Sequence, residues 1–142
     1  MSTRSNIGII APNGTVEVIY CHNDGYPSYN GKMLLENYKT LAKVRQLIKL
    51  GDISSLDMKA GKPPKGHTFD SRIDGYVVAY HRDRGEDLCP ARKYKDTKVA
   101  KSKCDNDYLY LFDTVTKAWF FRGYEGVLKP LTVADTVDRV GY

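Results

Sequence analysis

The strongest constraint on the fold of this chain is a β-hairpin signal near its start. Residues 6–11 and 15–21 are rich in β-branched side chains, and Pro12-Asn13-Gly14 stands between them. Asn-Gly between two such runs is the strongest short-range hairpin signal, because both turn positions accept positive φ. A second hairpin is predicted at 107–113 and 118–123, where both runs are aromatic.

Between the two hairpins the apolar spacing becomes helical. Residues 22–31 are dense in turn formers, whereas 32–38 and 41–50 carry apolar residues three and four apart. Thr40 is well placed to cap the second helix and Gly51 to end it. We therefore predict two short helices with one apolar face each.

The rest of the chain completes the fold prediction. The run Tyr-Val-Val-Ala-Tyr predicts a third strand over 73–81, flanked by an irregular loop at 57–72 and a charged loop at 82–87, and a short helix is expected around Val99. The order β-β-α-α-β-β-β indicates one α+β domain over residues 1–142. We expect an antiparallel sheet of about five strands with the two helices on one face, and no assignment for the tail after about residue 130.

Alternation along the strands makes both faces of the sheet apolar or aromatic. In the second hairpin, Tyr108, Tyr110 and Phe112 point away from Leu109 and Leu111. If the helices cover the aliphatic face, the tyrosine-rich face lies under the basic loops or stays open to a partner protein.

The composition is typical of a globular protein, with 42% hydrophobic and 27% charged residues. The apolar run at 7–10 is too short for a signal peptide or a membrane span. Cys21, Cys89 and Cys104 are odd in number and form no Cys-x-x-Cys pair, which favours free thiols in a reducing compartment. We expect a cytoplasmic protein with no membrane association.

The net charge of +5 is concentrated in two stretches, 59–67 and 92–103. Such stretches are usually solvated loops or helix faces, and otherwise sites for phosphates or an acidic partner. Charge alone does not decide between these alternatives. Nucleic-acid binding is expected to be weak and salt-sensitive, because scattered lysines contact phosphates without reading bases.

Two loops combine the residue types that bind ligands. The first follows a strand end, where a rigid sheet can position binding groups, although its Asp-Gly and Tyr-Pro pairs also suit a plain turn. In the second, two arginines could clamp a phosphate while the carboxylates hold ribose hydroxyls, or the charges could simply neutralise one another at the surface. The candidate ligand-binding residues are His22, Asp24, Tyr26, Tyr29, His81, Arg82, Arg84 and Glu86.

Catalytic motifs are missing from the sequence. It contains no Gly-x-Ser-x-Gly, His-Glu-x-x-His, P-loop or Gly-x-Gly-x-x-Gly pattern. This favours a binding protein over an enzyme, with no cofactor or metal predicted. The alternative is a small metal-dependent phosphodiesterase or nuclease that uses His22, Asp24, His81 and Asp83.

Five segments of the chain carry a family resemblance. They are TRSNIGI at 3–9, YCHNDGYP at 20–27, NGKMLL at 30–35, LGDISSL at 50–56 and YHRDRGED at 80–87. Together they resemble a family of small uncharacterised accessory proteins of tailed bacteriophages. One departure is Asn23, where the family pattern leads us to expect Trp.

The resemblance implies expression in the bacterial host cytoplasm. Small phage proteins of this kind often inhibit host factors, including immunity enzymes, or sequester nucleotide signals. We therefore expect a non-enzymatic binding protein that counters a host defence or metabolic factor, with a host protein or a small nucleotide as its partner. This expectation rests on analogy between families.

Overall fold

A computed structural model describes residues 2–137, in which eight strands form one mixed β-sheet. The strands are β1 (Ser5–Ile10), β2 (Val16–Cys21), β3 (Ile53–Ser55), β4 (Val78–Ala79), β5 (Arg92–Tyr94), β6 (Tyr108–Asp113), β7 (Ala118–Arg122) and β8 (Leu128–Pro130). Their order across the sheet is β4-β3-β2-β1-β6-β7-β8, and β5 pairs with β2 beside this path.

Four α-helices lie within the same residues: α1 (Lys32–Asn37), α2 (Leu41–Ile48), α3 (Tyr80–Arg84) and α4 (Thr97–Lys103). A π-helical turn precedes α1 at Pro27–Gly31, and a 3-10 turn follows β8 at Val133–Thr136. The Thr40 hydroxyl accepts the Lys43 amide at 3.3 Å, which confirms the predicted cap of α2. The helix expected around Val99 is α4.

Both predicted hairpins are present. β1 and β2 pair antiparallel from Ser5 opposite Cys21 to Ile10 opposite Val16, and β6 pairs with β7. The first turn differs in detail from the expectation of two positive-φ residues. Within residues 2–137, Gly14 alone in this turn has positive φ, at 92°, while the Asn13 side chain accepts the Thr15 amide at 3.1 Å.

The predicted five-stranded antiparallel sheet with two helices is wrong. β1 pairs parallel with β6, and β2 pairs parallel with β3. A hairpin signal defines only the pairing of neighbouring strands, and the β1–β6 pair joins segments about a hundred residues apart. The strands that the sequence did not predict, β3, β5 and β8, are three residues long, too short to show alternation.

The third predicted strand, 73–81, is also much shorter than expected. Only Val78–Ala79 pairs as a strand, because α3 begins at Tyr80. The Asp83 carboxylate accepts the Ala79 amide at 2.8 Å and so stabilises the start of the helix. The predicted charged loop therefore begins inside α3, which ends at Gly85 with φ of 77°.

Helices cover both faces of the sheet. α1 and α2 pack on the face that carries Tyr110, Phe112 and Trp119, while α4 packs on the opposite, aliphatic face. Tyr110 and Phe112 are fully buried, so an open tyrosine-rich sheet face does not exist at these positions. The aromatic rings bring the larger apolar area and therefore gain more from the cover of two helices.

Two further observations concern the cysteines and the length of the helices. Cys21, Cys89 and Cys104 are free thiols, and burial raises the pKa of Cys21 to about 11. Over residues 2–137, no helix is both long enough and apolar enough to cross a bilayer.

Candidate functional site

Arg82, one of the two arginines predicted to clamp a phosphate, is bonded entirely within the protein. Its Nε and Nη2 donate to the Asp83 carboxylate at 2.9 and 3.0 Å. Its other N–H groups donate to the carbonyl oxygens of Ala60, Gly61 and Val77 at 3.0, 3.1 and 2.7 Å. A guanidinium has five N–H donors, so none is left for a ligand. Arg82 thus ties the 57–76 loop to α3.

The Asp83 carboxylate is the centre of this arrangement, and its side chain is only 2% exposed. It also faces Nε2 of the buried His67 at 3.4 Å. Because His67 Nδ1 accepts the Ile73 amide at 3.0 Å, the ring proton lies on Nε2, toward the carboxylate. We call His67, Arg82 and Asp83 the α3 anchor.

Burial and hydrogen bonding act in opposite directions on Asp83. Burial raises the pKa of its carboxyl, but the hydrogen bonds from Arg82 and from the Ala79 amide, with the positive charge of Arg82, outweigh it. The net result is a pKa below the ordinary value. The anchor is therefore built around a carboxylate that stays charged.

Arg84, the second predicted clamp residue, is exposed and points away from the anchor. Its guanidinium lies 4.6 Å from the centre of the Phe69 ring, and its Nε is 3.3 Å from the Glu86 carboxylate. His81 is also exposed, with its Nδ1 2.7 Å from the Glu86 carbonyl oxygen. Of the two arginines predicted to clamp a phosphate, only Arg84 therefore has a guanidinium that is exposed to a ligand.

The loop after β2 bonds largely to itself and to the chain beyond β3. His22 Nδ1 lies 2.8 Å from the hydroxyl of the tyrosine two residues earlier. Asp24, at φ 56°, accepts the Tyr26 hydroxyl at 3.0 Å, and the Tyr29 hydroxyl donates to the Leu56 carbonyl at 3.2 Å. These contacts explain the shape of the loop without a ligand.

β3 separates the two predicted loops. Asn23 donates through its side chain to the Ser54 hydroxyl at 3.3 Å and accepts the Ser2 hydroxyl at 2.9 Å, so it makes polar contacts where Trp was expected. The Asn23 backbone amide also donates to the Ser54 carbonyl oxygen at 2.9 Å, so the first loop is hydrogen-bonded to β3. The ligand-binding roles of the predicted residues stay predictions, and for Arg82 such a role requires breaking the anchor.

The sequence did not single out a concave surface that is lined by basic side chains. Two adjoining cavities of about 680 and 460 Å³ lie between α2 and β5 and share Ile9, Glu17, Arg45 and Lys93 in their linings. We call them together the basic groove. Three of these residues lie side by side on neighbouring strands, because Glu17 of β2 is paired with Ile9 of β1 on one side and with Lys93 of β5 on the other. This row of three residues forms the floor of the groove beside α2.

Four basic side chains line the groove, two on each wall. Arg45 projects from α2 and Lys49 is the residue that follows it, while Lys93 and Lys95 belong to β5 and the residue after it. In the sequence these are two separate pairs, four and two residues apart, and only Lys93 and Lys95 fall within a basic stretch that the charge pattern singled out, 92–103. Their convergence was not predictable, because it depends on the pairing of β5 with β2.

Most of this charge has no counter-ion. Lys93 lies 3.6 Å from the Glu17 carboxylate, whereas Arg45, Lys49 and Lys95 form no ion pair with any described residue. Arg92, by contrast, makes two hydrogen bonds to Asp52 at 2.9 and 3.0 Å. The groove therefore has an excess of positive charge that the fold does not neutralise.

The arrangement of potential metal ligands bears on the phosphodiesterase alternative. Among residues 2–137, no group of three or more His, Cys, Asp and Glu side chains is arranged to hold a metal ion. The four residues of the phosphodiesterase alternative, His22, Asp24, His81 and Asp83, form no such group.

Comparison with known proteins gives no relatives. No protein-family model matches the sequence, and no curated protein or solved structure matches it.

Proposed function

We propose that this chain is a non-enzymatic binding protein and that an anionic ligand or partner occupies the basic groove. The observation that carries the proposal is the set of four basic side chains on facing walls of one concave surface. Three of them have no ion pair among the described residues.

The electrostatics of the groove favour an anion. Like charges on facing walls repel one another, and low-dielectric walls concentrate their field in the space between them. An anion bound between the walls is attracted to the cations on both of them, and this attraction offsets the repulsion between the cations. The exposed apolar side chains of Ala42 and Pro90 beside the charges add contact area for a ligand.

The binding role is better supported than catalysis. The Nδ1 atoms of His22 and His81 already face protein oxygens at 2.8 and 2.7 Å. The Asp83 carboxylate is committed to Arg82 and to the Ala79 amide. The residues of the phosphodiesterase alternative therefore serve local structure, and the groove contains no histidine.

The family resemblance supplies the biological setting of the proposal. We place the protein in the cytoplasm of a phage-infected bacterium, where the groove takes an acidic part of a host defence or metabolic factor, or a nucleotide signal. Occupation of that part inhibits the host factor. The buried sheet face at Tyr110 and Phe112 plays no part in this mechanism.

A matched pair of charge reversals tests the site. R45E/K95E reverses two groove cations, and K98E/K103E reverses two exposed lysines of α4, so both variants have the same net charge. Binding of a short polyglutamate peptide and of inorganic polyphosphate is measured by calorimetry. We expect about tenfold or greater loss of affinity, ~1.4 kcal/mol, for the groove variant only. Equal weakening of both variants contradicts the proposal, because it shows general attraction to net charge.

A further inference from the structure

β5 is an open edge of the sheet beside the basic groove. Its one strand partner within residues 2–137 is β2, and its residues Arg92 and Lys93 are exposed. An edge strand presents unpaired backbone N–H and C=O groups, which are a template for another strand. Proteins protect such edges with charged side chains, and here the charges are all basic.

The spacing of the basic residues suits an extended chain. Lys93 and Lys95 are two residues apart, so in an extended backbone their side chains share one face at about 6.6 Å separation. Arg45 lies in α2 and Lys49, four residues later, is the helical C-cap residue, so they are separated by a rise of about 6 Å along the helix axis. Carboxylates at alternate positions of an added strand repeat at the same interval of about 6.6 Å.

The lining fits a free nucleotide less well. Tyr94 is the single aromatic residue among the described residues that line the groove, and its ring packs against the core beneath α4. Sites that bind nucleobases commonly stack them on aromatic side chains. The groove thus has the charge for phosphates but no platform for a base.

We propose that the partner of the groove is an acidic protein segment that binds in extended conformation as an added strand on β5. Its backbone pairs with the free edge of β5, and its alternate Asp or Glu side chains contact Lys93, Lys95, Arg45 and Lys49. This is strand addition with charge as the source of specificity. It rests on the proposed function, because it names the occupant of the same groove.

The test uses peptides of about eight residues with Glu at every second position and Thr or Val between. One peptide is unmodified. Two others carry backbone N-methyl groups, either at the Glu residues or at the intervening residues, and keep all charges. Because alternate amides of an added strand face its neighbour, we expect only one N-methylated peptide to lose affinity, by about tenfold or more. Amide hydrogen exchange at 92–95 should slow when the unmodified peptide binds.

Each outcome decides a different question. If both N-methylated peptides bind with the same affinity, strand addition is overturned. The anion site in the groove is still supported in that case if R45E/K95E lowers the affinity for the peptide and K98E/K103E does not. If ATP binds the groove more tightly than the peptide, the acidic segment is overturned in favour of a nucleotide. If the two charge-reversal variants bind every probe equally, the proposed function itself fails.

Discussion

The α3 anchor and the basic groove each contain an arginine from a helix, Arg82 of α3 and Arg45 of α2, but the two arginines have opposite roles. In the anchor every N–H of Arg82 has a protein acceptor, and the Asp83 carboxylate is buried. In the groove Lys93 alone of the four cations has a carboxylate partner within residues 2–137, at 3.6 Å. The anchor holds the fold together, whereas the groove leaves its donors available. Whether a charged cluster is structural or free to bind a ligand is therefore decided by whether each of its N–H donors already has an acceptor within the protein.

The largest expected effect is on the anchor. Arg82→Ala leaves a buried carboxylate without its partner and three carbonyl oxygens without donors, so we expect a loss of about 3–5 kcal/mol in the free energy of unfolding. Arg82→Lys keeps the charge but loses the planar set of donors, and its loss should be intermediate. Denaturant unfolding measures both. A loss below about 0.5 kcal/mol for Arg82→Ala, as expected of a solvated arginine, contradicts the anchor.

The second prediction concerns acid. The pKa of Asp83 is lowered in the folded protein, so its contribution to stability is complete above its unfolded pKa and is lost as the pH falls through the folded pKa. Asp83→Asn should cost about 1.5–3 kcal/mol at pH 7, because hydrogen bonds to a charged group are lost. It should also flatten the decline of stability below about pH 4. An unchanged acid decline in the variant shows that other carboxylates cause it.

A smaller loss of stability is expected from Arg84, two residues after Arg82. Arg84→Ala removes an exposed contact with Phe69 and an exposed ion pair with Glu86, which should cost about 0.5–1 kcal/mol. The unfolding experiment used for Arg82→Ala applies here, with the two variants compared directly. Equal losses for the two arginines remove the distinction between the anchor and the surface.

The smallest expected effect is an increase in the free energy of unfolding, whereas the three changes above lower it. Neutralising Lys49 and Lys95 to Gln relieves repulsion in the groove, so the free energy of unfolding should rise by a few tenths of a kcal/mol, about 0.3, at low salt. The gain should vanish near 1 M salt, where charges are screened within about 3 Å. If the double variant is less stable than the unmodified protein at low salt, these lysines have structural partners and are not free for a ligand.

The sequence predicted the elements whose signals are local. Gly14 allows the first hairpin turn, and Thr40 caps α2, in both cases through contacts within a few residues. The parallel pairing of β1 with β6 has no such signal, because the two strands have many residues between them. The short strand β5 has too few residues to show a period.

The same limit applies to the charged sites. Arg82 and Arg84 look alike in the sequence, but Arg82 donates to Asp83 and to the carbonyl oxygens of Ala60, Gly61 and Val77, whereas Arg84 contacts Phe69 and Glu86 at the surface. The groove cations form two pairs in the sequence, Arg45 with Lys49 and Lys93 with Lys95. The two pairs lie close together only because β5 pairs with β2. Donors and acceptors from distant segments decide which charge is structural.

The most direct test of this contrast is a map of amide chemical shifts in the ¹⁵N-labelled protein as an acidic peptide is added. We expect the largest changes at Arg45, Lys49 and 92–95, and almost none at the amides of α3. Changes centred on α3 and the loop at 22–29, with 92–95 unaffected, would contradict this expectation and return the binding site to the loops on either side of β3.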